Sequence, residues 1–186
     1  MASRWISVGL VSLLWWSTGA QSQPVPAGYR AVANEYGLPA ALLYAVALTE
    51  SGQSSFSPGQ YRPWPWALNI DGVGHYFPSR QETWHALQME LAGTDASVDI
   101  GLMQISWRYH RSALGSPWQA LDPYHNLRVA AALLHDCFAE HGNWVESAGC
   151  YHAPNDPARA DRYGRRVEKR WTQLIDSTRE VPVDSP

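Results

Sequence analysis

The stretch Ala40-Ala-Leu-Leu-Tyr-Ala-Val-Ala-Leu-Thr-Glu50-Ser51 constrains this chain more than any other. It reads as a helix that is apolar almost all the way round, the mark of a helix enclosed by others rather than laid on a surface. Pro39 suits its first turn and Gly52 its C-terminal stop. Leu43, Val46, Ala47 and Glu50 share one face by three-and-four spacing. A carboxyl on the apolar face of a core helix loses solvation, which favours its neutral, proton-donating form. The alternative is that the helix surfaces at Glu50 and the side chain meets water. The helix pattern alone leaves both readings open.

Residues 1–20 read as a secretory signal. Met1–Arg4 is a short basic start, Trp5–Trp16 is mostly apolar, and Thr18-Gly19-Ala20 offers the small residues of a cleavage site. An uncleaved anchor is the other reading of this segment. The remainder, 21–186, is long enough for one domain with a real core and holds no later stretch of membrane-spanning length, so a periplasmic protein without an integral membrane segment is expected. With 14 Lys+Arg against 17 Asp+Glu, the net charge of −3 lacks the basic excess that nucleic acid would demand. Cys137 and Cys150 are the two cysteines, and in an oxidising compartment an even pair reads as a disulfide. Cys137 falls late in one helix and Cys150 near the end of the next, so antiparallel packing would bring them together. The seven histidines form no HExxH, and Cys137 with His141 one turn on makes only two ligands, so neither a metal nor a cofactor is expected.

The periodicity predicts a mainly α fold of about seven helices around the central one, with one small β-hairpin or tongue. The first helix falls in Pro24–Gly37. Residues 52–78 are rich in Ser, Gly, Pro and aromatics, and Asp71-Gly72 between Trp66–Ile70 and Val73–Phe77 is a strong hairpin signal. Ser79-Arg-Gln-Glu82 is a capping box opening a helix to Ala92. Asp95–Asp99 reads as polar and turn-like. Helices are expected over Trp107–Leu114, over Asn126–Glu140 behind an Asp122-Pro123 cap, from Asn143 to Tyr151, and from Asp156-Pro157 onward, where Tyr163, Val167, Trp171 and Leu174 recur at helical spacing. One domain should occupy 21–176, with 177–186 a flexible tail.

Four separated pieces then fall into a known order: Thr49-Glu50-Ser51, Asp99-Ile-Gly-Leu-Met-Gln-Ile105, Asn126–Leu134, and Tyr151-His-Ala followed by Arg162-Tyr163. Together they resemble the soluble lytic transglycosylase catalytic domain of the family 23 glycoside hydrolases, with its lysozyme-like fold. The likeness covers residues 28–175 and is nearest to small exported members that accompany conjugation, pilus and type IV secretion machines.

The resemblance implies roles. Glu50 falls on the single catalytic acid. Ser51 falls on a residue that helps shape the substrate site; its other reading is a helix-end hydroxyl bonding a backbone carbonyl. Met103 and Gln104 match the substrate-facing part of the Gly-Leu-Met-Gln motif, where an amide can both donate to and accept from a sugar N-acetyl group; Met103 also reads as plain core. Tyr151 falls on a tyrosine expected to orient the catalytic carboxyl. Tyr163 falls on a cleft residue, with core packing as the alternative. Where relatives carry Tyr-Asn-Ala-Gly, this chain carries Tyr151-His152-Ala153-Pro154. Trp64, Trp66 and Tyr76 suit stacking on sugar rings or, equally, a tongue folded on its own aromatics.

The implied reaction is cleavage of the β-1,4 bond of peptidoglycan glycan strands by a monomeric enzyme, with closure of a 1,6-anhydro ring, local to the assembly of a secretion or conjugation machine. Two rivals stand beside it. A goose-type lysozyme would hydrolyse the same bond using a second carboxylate, for which Asp95 and Asp99 are candidates. A non-catalytic adaptor would only bind glycan.

Overall fold

In the computed structural model the described residues are 24–56, 59–93 and 96–179. The signal segment 1–20 and the candidate Asp95 lie outside them. Helix α1 (Ala27–Tyr36) ends at Gly37, which takes the left-handed conformation at φ 69°. Helix α2 (Ala40–Ser51) follows at once, and from Leu42 to Leu48 every residue is buried. Each fully buried Leu or Val along it contributes on the order of 1.5–3 kcal/mol of hydrophobic stabilisation.

Gly52 does not end α2 by turning left-handed; its φ of −62° is ordinary. It is required for space. A Cβ there would stand 2.2 Å from Leu48 O and 2.5 Å from the Tyr61 ring. Gly52 instead opens strand β1 (Gly52–Gln53), which pairs with β2 (Arg62–Pro63). The hairpin forms as expected from β3 (Ala67–Ile70) and β4 (Val73–Tyr76), with both turn residues at positive φ, Asp71 at 50° and Gly72 at 88°.

The β portion is larger than the sequence pattern suggested. Part of the stretch read as turn-like is strand β5 (Val98–Ile100), which pairs with β3, and β6 (Ile105–Ser106) pairs with β5, giving the order β4-β3-β5-β6. Strands of two and three residues carry too little alternation to register as a period.

Helix α3 (Arg80–Gly93) opens at Ser79 with one half of the expected capping box, Glu82 N donating to Ser79 Oγ at 3.2 Å, while Glu82 Oε1 accepts from the Ser79 hydroxyl at 3.0 Å. Helix α4 (Trp107–Leu114) is kinked at His110. One turn not anticipated from the sequence, α5 (Pro117–Ala120), is opened by a complete capping box, Ser116 with Gln119. It brings the helices among the described residues to eight. Helix α6 (Pro123–His141) starts behind Asp122, whose carboxylate accepts from the Tyr124 and His125 amides, three residues before the expected start. Helix α7 (Trp144–His152) is capped by Asn143. Helix α8 runs Pro157–Arg179, three residues into the stretch expected to fray; 180–186 lie outside the described residues.

Helices α7 and α8 pack backbone to backbone because each offers a glycine. A Cβ on Gly149 would lie 2.7 Å from Ala160 O, and one on Gly164 would lie 2.7 Å from Val145 O. A disulfide joins Cys137 of α6 to Cys150 of α7, with Cα atoms 6.0 Å apart. The architecture is mainly helical with small sheets, consistent with an α-rich lysozyme-like fold. Among the described residues no single helix is long and apolar enough to cross a membrane.

Candidate active site

The last turn of α2 delivers two side chains to different surroundings. Ser51 is fully buried. Its hydroxyl donates to Leu102 O at 2.7 Å and accepts from Trp64 N at 3.2 Å. Glu50 remains near the surface with its side chain only 11 % exposed. Tyr163 of α8 donates its hydroxyl to Glu50 Oε1 at 2.6 Å, and His152 Nδ1 lies 3.6 Å from the same oxygen.

The Gly101–Gln104 turn faces this helix end. Gly101 takes φ 78°, and a Cβ on it would sit 2.9 Å from Asn126 Nδ2, so both backbone shape and space exclude a side chain. Gln104 is also left-handed, at φ 48°. Its Nε2 donates back to Gly101 O at 2.8 Å, holding the turn closed on itself. Three elements grip the backbone between. Ser51 of α2 bonds Leu102 O, Asn126 of α6 accepts from Met103 N at 2.9 Å, and Tyr151 of α7 donates to Met103 O at 2.6 Å. Asn126 further donates to Ile100 O at 3.0 Å and Ala120 O at 3.1 Å. The four separated pieces thus each bring a residue to one turn and one carboxyl.

The two tyrosines differ from expectation. Tyr151 was the residue expected to orient the carboxyl, yet its hydroxyl holds the Met103 carbonyl, and Tyr163 holds Glu50. The cause is where each residue sits: Tyr151 lies at the end of α7 by the turn, whereas Tyr163 reaches Glu50 at the α2 terminus from the second turn of α8. Burial first, and the Glu50 charge second, push both phenols well above their usual range, so both persist as O–H donors. Tyr163 is at once core and site, with its ring buried and its hydroxyl on Glu50. Met103 has its side chain in the core with no exposed surface, and its main chain is the part that the site uses.

Asn126 and His152 enter the site without a role assigned to either side chain from sequence. Asn126 opens the Asn126–Leu134 piece, and a lone amide ahead of the largely apolar segment Leu127–Leu134 was the available signal. His152 stacks on the Tyr163 ring, centroids 4.1 Å apart and 9° from parallel, and its Nε2 accepts from Arg159 Nε at 3.2 Å. Asp99 on β5 lies close enough to Glu50 to feel its charge. Burial first and Glu50 second raise its pKa above the ordinary carboxylate value.

The tongue folds on itself. Trp64 stacks on Phe56 at 4.5 Å and meets Trp66 edge-on at 5.3 Å, and its indole N–H donates to Phe77 O at 2.7 Å. Tyr76 is exposed. Glu140, His141 and Cys150 bring possible ligand atoms within 4.8 Å of one another, but the Cys150 sulfur is committed to the disulfide, so only two donors remain.

Residues 29–173 match the family model described as the transglycosylase SLT domain. No curated protein and no solved structure matches the chain.

Proposed function

The chain belongs to the transglycosylase SLT domain family, and from that premise we propose that it is a peptidoglycan lytic transglycosylase with Glu50 as its single acid and base. The observation that carries this reading is the 2.6 Å bond from Tyr163 to a largely enclosed Glu50, next to a Gly101–Gln104 turn gripped from three helices. An acid that must give and retrieve one proton needs a fixed carboxyl and a fixed substrate floor, and both are supplied by backbone and buried side chains.

In the proposed cycle Glu50 protonates the oxygen of the β-1,4 bond between N-acetylmuramic acid and N-acetylglucosamine, and the C1–O bond breaks. The Glu50 carboxylate then takes the proton of the muramic C6 hydroxyl, and O6 closes on C1 to form the 1,6-anhydro ring. Glu50 ends as it began, and no water is consumed. An internal nucleophile is effective because well-oriented intramolecular reactions reach effective molarities of roughly 10⁵–10⁸ M. Gln104 and exposed Tyr76 are the candidate glycan contacts. Export to the periplasm through residues 1–20 and action beside a conjugation, pilus or secretion machine belong to the same proposal, as does a monomeric state.

The hydrolytic alternative draws on one observation, the nearness of Asp99 to Glu50. Burial and the Glu50 charge raise the pKa of Asp99, which makes its carboxylate a stronger base once formed, so the nature of the product is what separates the two readings. Mass spectrometry of muropeptides released from purified peptidoglycan tests this. The expected products end in 1,6-anhydro-N-acetylmuramic acid, one water lighter than a reducing end, and Glu50→Gln abolishes release while glycan binding persists. Reducing ends would hand the reaction to the lysozyme reading; binding without release by the unaltered protein would leave an adaptor.

A further inference from the structure

His152 stands between the two groups that define the site, and its surroundings fix how it can act. One ring face is covered by Tyr163, the residue that bonds Glu50. Arg159, one turn into α8, directs its Nε at His152 Nε2 at 3.2 Å. A guanidinium N–H can only donate, so Nε2 must accept and the ring proton of the neutral imidazole resides on Nδ1. Nδ1 is the atom that faces Glu50 Oε1, at 3.6 Å. That is slightly longer than a hydrogen bond, a separation common in unliganded sites whose contacts tighten on the substrate.

We propose that His152 is a positioning residue for Glu50. Arg159 sets its tautomer, Tyr163 sets its ring plane, and its Nδ1–H is aimed at the carboxylate that exists between proton delivery and proton retrieval. Tyr163 and His152 then converge on the same oxygen from two helices, which fixes the carboxyl rotamer and leaves Oε2 for the glycosidic oxygen. The inference rests on the acid–base role of Glu50 stated above. The other groups acting around this point are Asp99 from β5, whose carboxyl feels Glu50, His152 and Arg159, and Tyr151 from α7, which is turned to Met103 O.

Amide substitutions separate this role from a merely structural one. Asparagine places a donor, Nδ2, at the same remove from the backbone as Nδ1; glutamine places its donor one bond farther, where Nε2 stood. With short soluble glycan strands of alternating N-acetylglucosamine and N-acetylmuramic acid, His152→Gln is expected to lower kcat about tenfold, with KM within about twofold of the original. His152→Asn is expected to restore most of kcat. Long-range proton–nitrogen NMR of the ¹⁵N-labelled protein at pH about 8 reads the ring tautomer without any catalysis. His152, assigned by its loss in the Gln variant, should show Nδ1–H, and Arg159→Leu should shift it toward Nε2–H. An Nε2–H tautomer in the unaltered protein, equal loss in the Asn and Gln variants, or a change in KM alone would each overturn the proposal. Complete inactivity of the unaltered protein would instead sink the transglycosylase reading, and the tautomer would still decide this one.

Discussion

Tyr163 Oη sits 2.6 Å from Glu50 Oε1, a contact between residues 113 positions apart that ties the second turn of α8 to the end of α2. The phenol stays protonated because burial and the neighbouring carboxyl both oppose its ionisation, so it is a permanent donor. Tyr163→Phe keeps the buried ring and its stacking on His152 but strips that donor. Turnover should fall about tenfold or more, with KM near its original value and only a small change in melting temperature. Unchanged turnover would mean that Glu50 needs no such partner.

Tyr151→Phe should behave in the opposite way. Its hydroxyl serves Met103 O, and a buried carbonyl left without a donor costs about 1–3 kcal/mol. For a domain of this size the melting temperature should drop by roughly 3–10 °C, with specific activity falling less than in Tyr163→Phe. Collapse of turnover at an unmoved melting temperature would return Tyr151 to the role of carboxyl partner.

The central helix was legible because its signal is dense: an apolar run from Leu42 to Leu48 has nowhere to lie but inside. Caps at Ser79, Asp122 and Asn143 were legible because a short polar side chain before a proline or an apolar run has few other uses. What escaped was the exchange between Tyr151 and Tyr163. Sequence spacing places a tyrosine on a helix, but the target of its hydroxyl depends on how α7 and α8 cross, and that is fixed by the glycine contacts at Gly149 and Gly164. Met103 and Ser51 show the same limit. Their motif positions suggest reaching outward, whereas the fold turns both inward and uses the main chain that they hold.

Asn126 should prove as sensitive as Tyr163, in stability rather than in turnover. It is buried and serves three backbone groups, Met103 N, Ile100 O and Ala120 O. Asn126→Ala strands them, for a loss on the order of 3 kcal/mol and a fall of roughly 6–12 °C in melting temperature. Asn126→Asp keeps the acceptor for Met103 N but sets a carboxylate against two carbonyls, so it should be no more stable than the alanine variant. A melting temperature within a degree of the original for either would show that the turn holds itself.

Asp99 offers a pH test whose sign is fixed by its surroundings. Burial first and the Glu50 charge second raise its pKa from the ordinary 3.8, against smaller opposing pulls from the Ser106 hydroxyl first and then from His152 and Arg159. Above 3.8 the unfolded chain has released this proton while the folded chain still holds it. The folded state therefore binds more protons, and stability must fall as pH rises through the window up to the raised value, after which a constant penalty remains. Asp99→Asn has no proton to lose and approximates the neutral acid in shape. Its melting temperature should match that of the unaltered protein at pH about 3.5 and exceed it at pH about 7, the gap opening as pH climbs. The same variant should still release 1,6-anhydro ends, because Glu50 alone handles the proton. A gap that closes or reverses with rising pH would place Asp99 in a site that stabilises its charge and would overturn the burial argument.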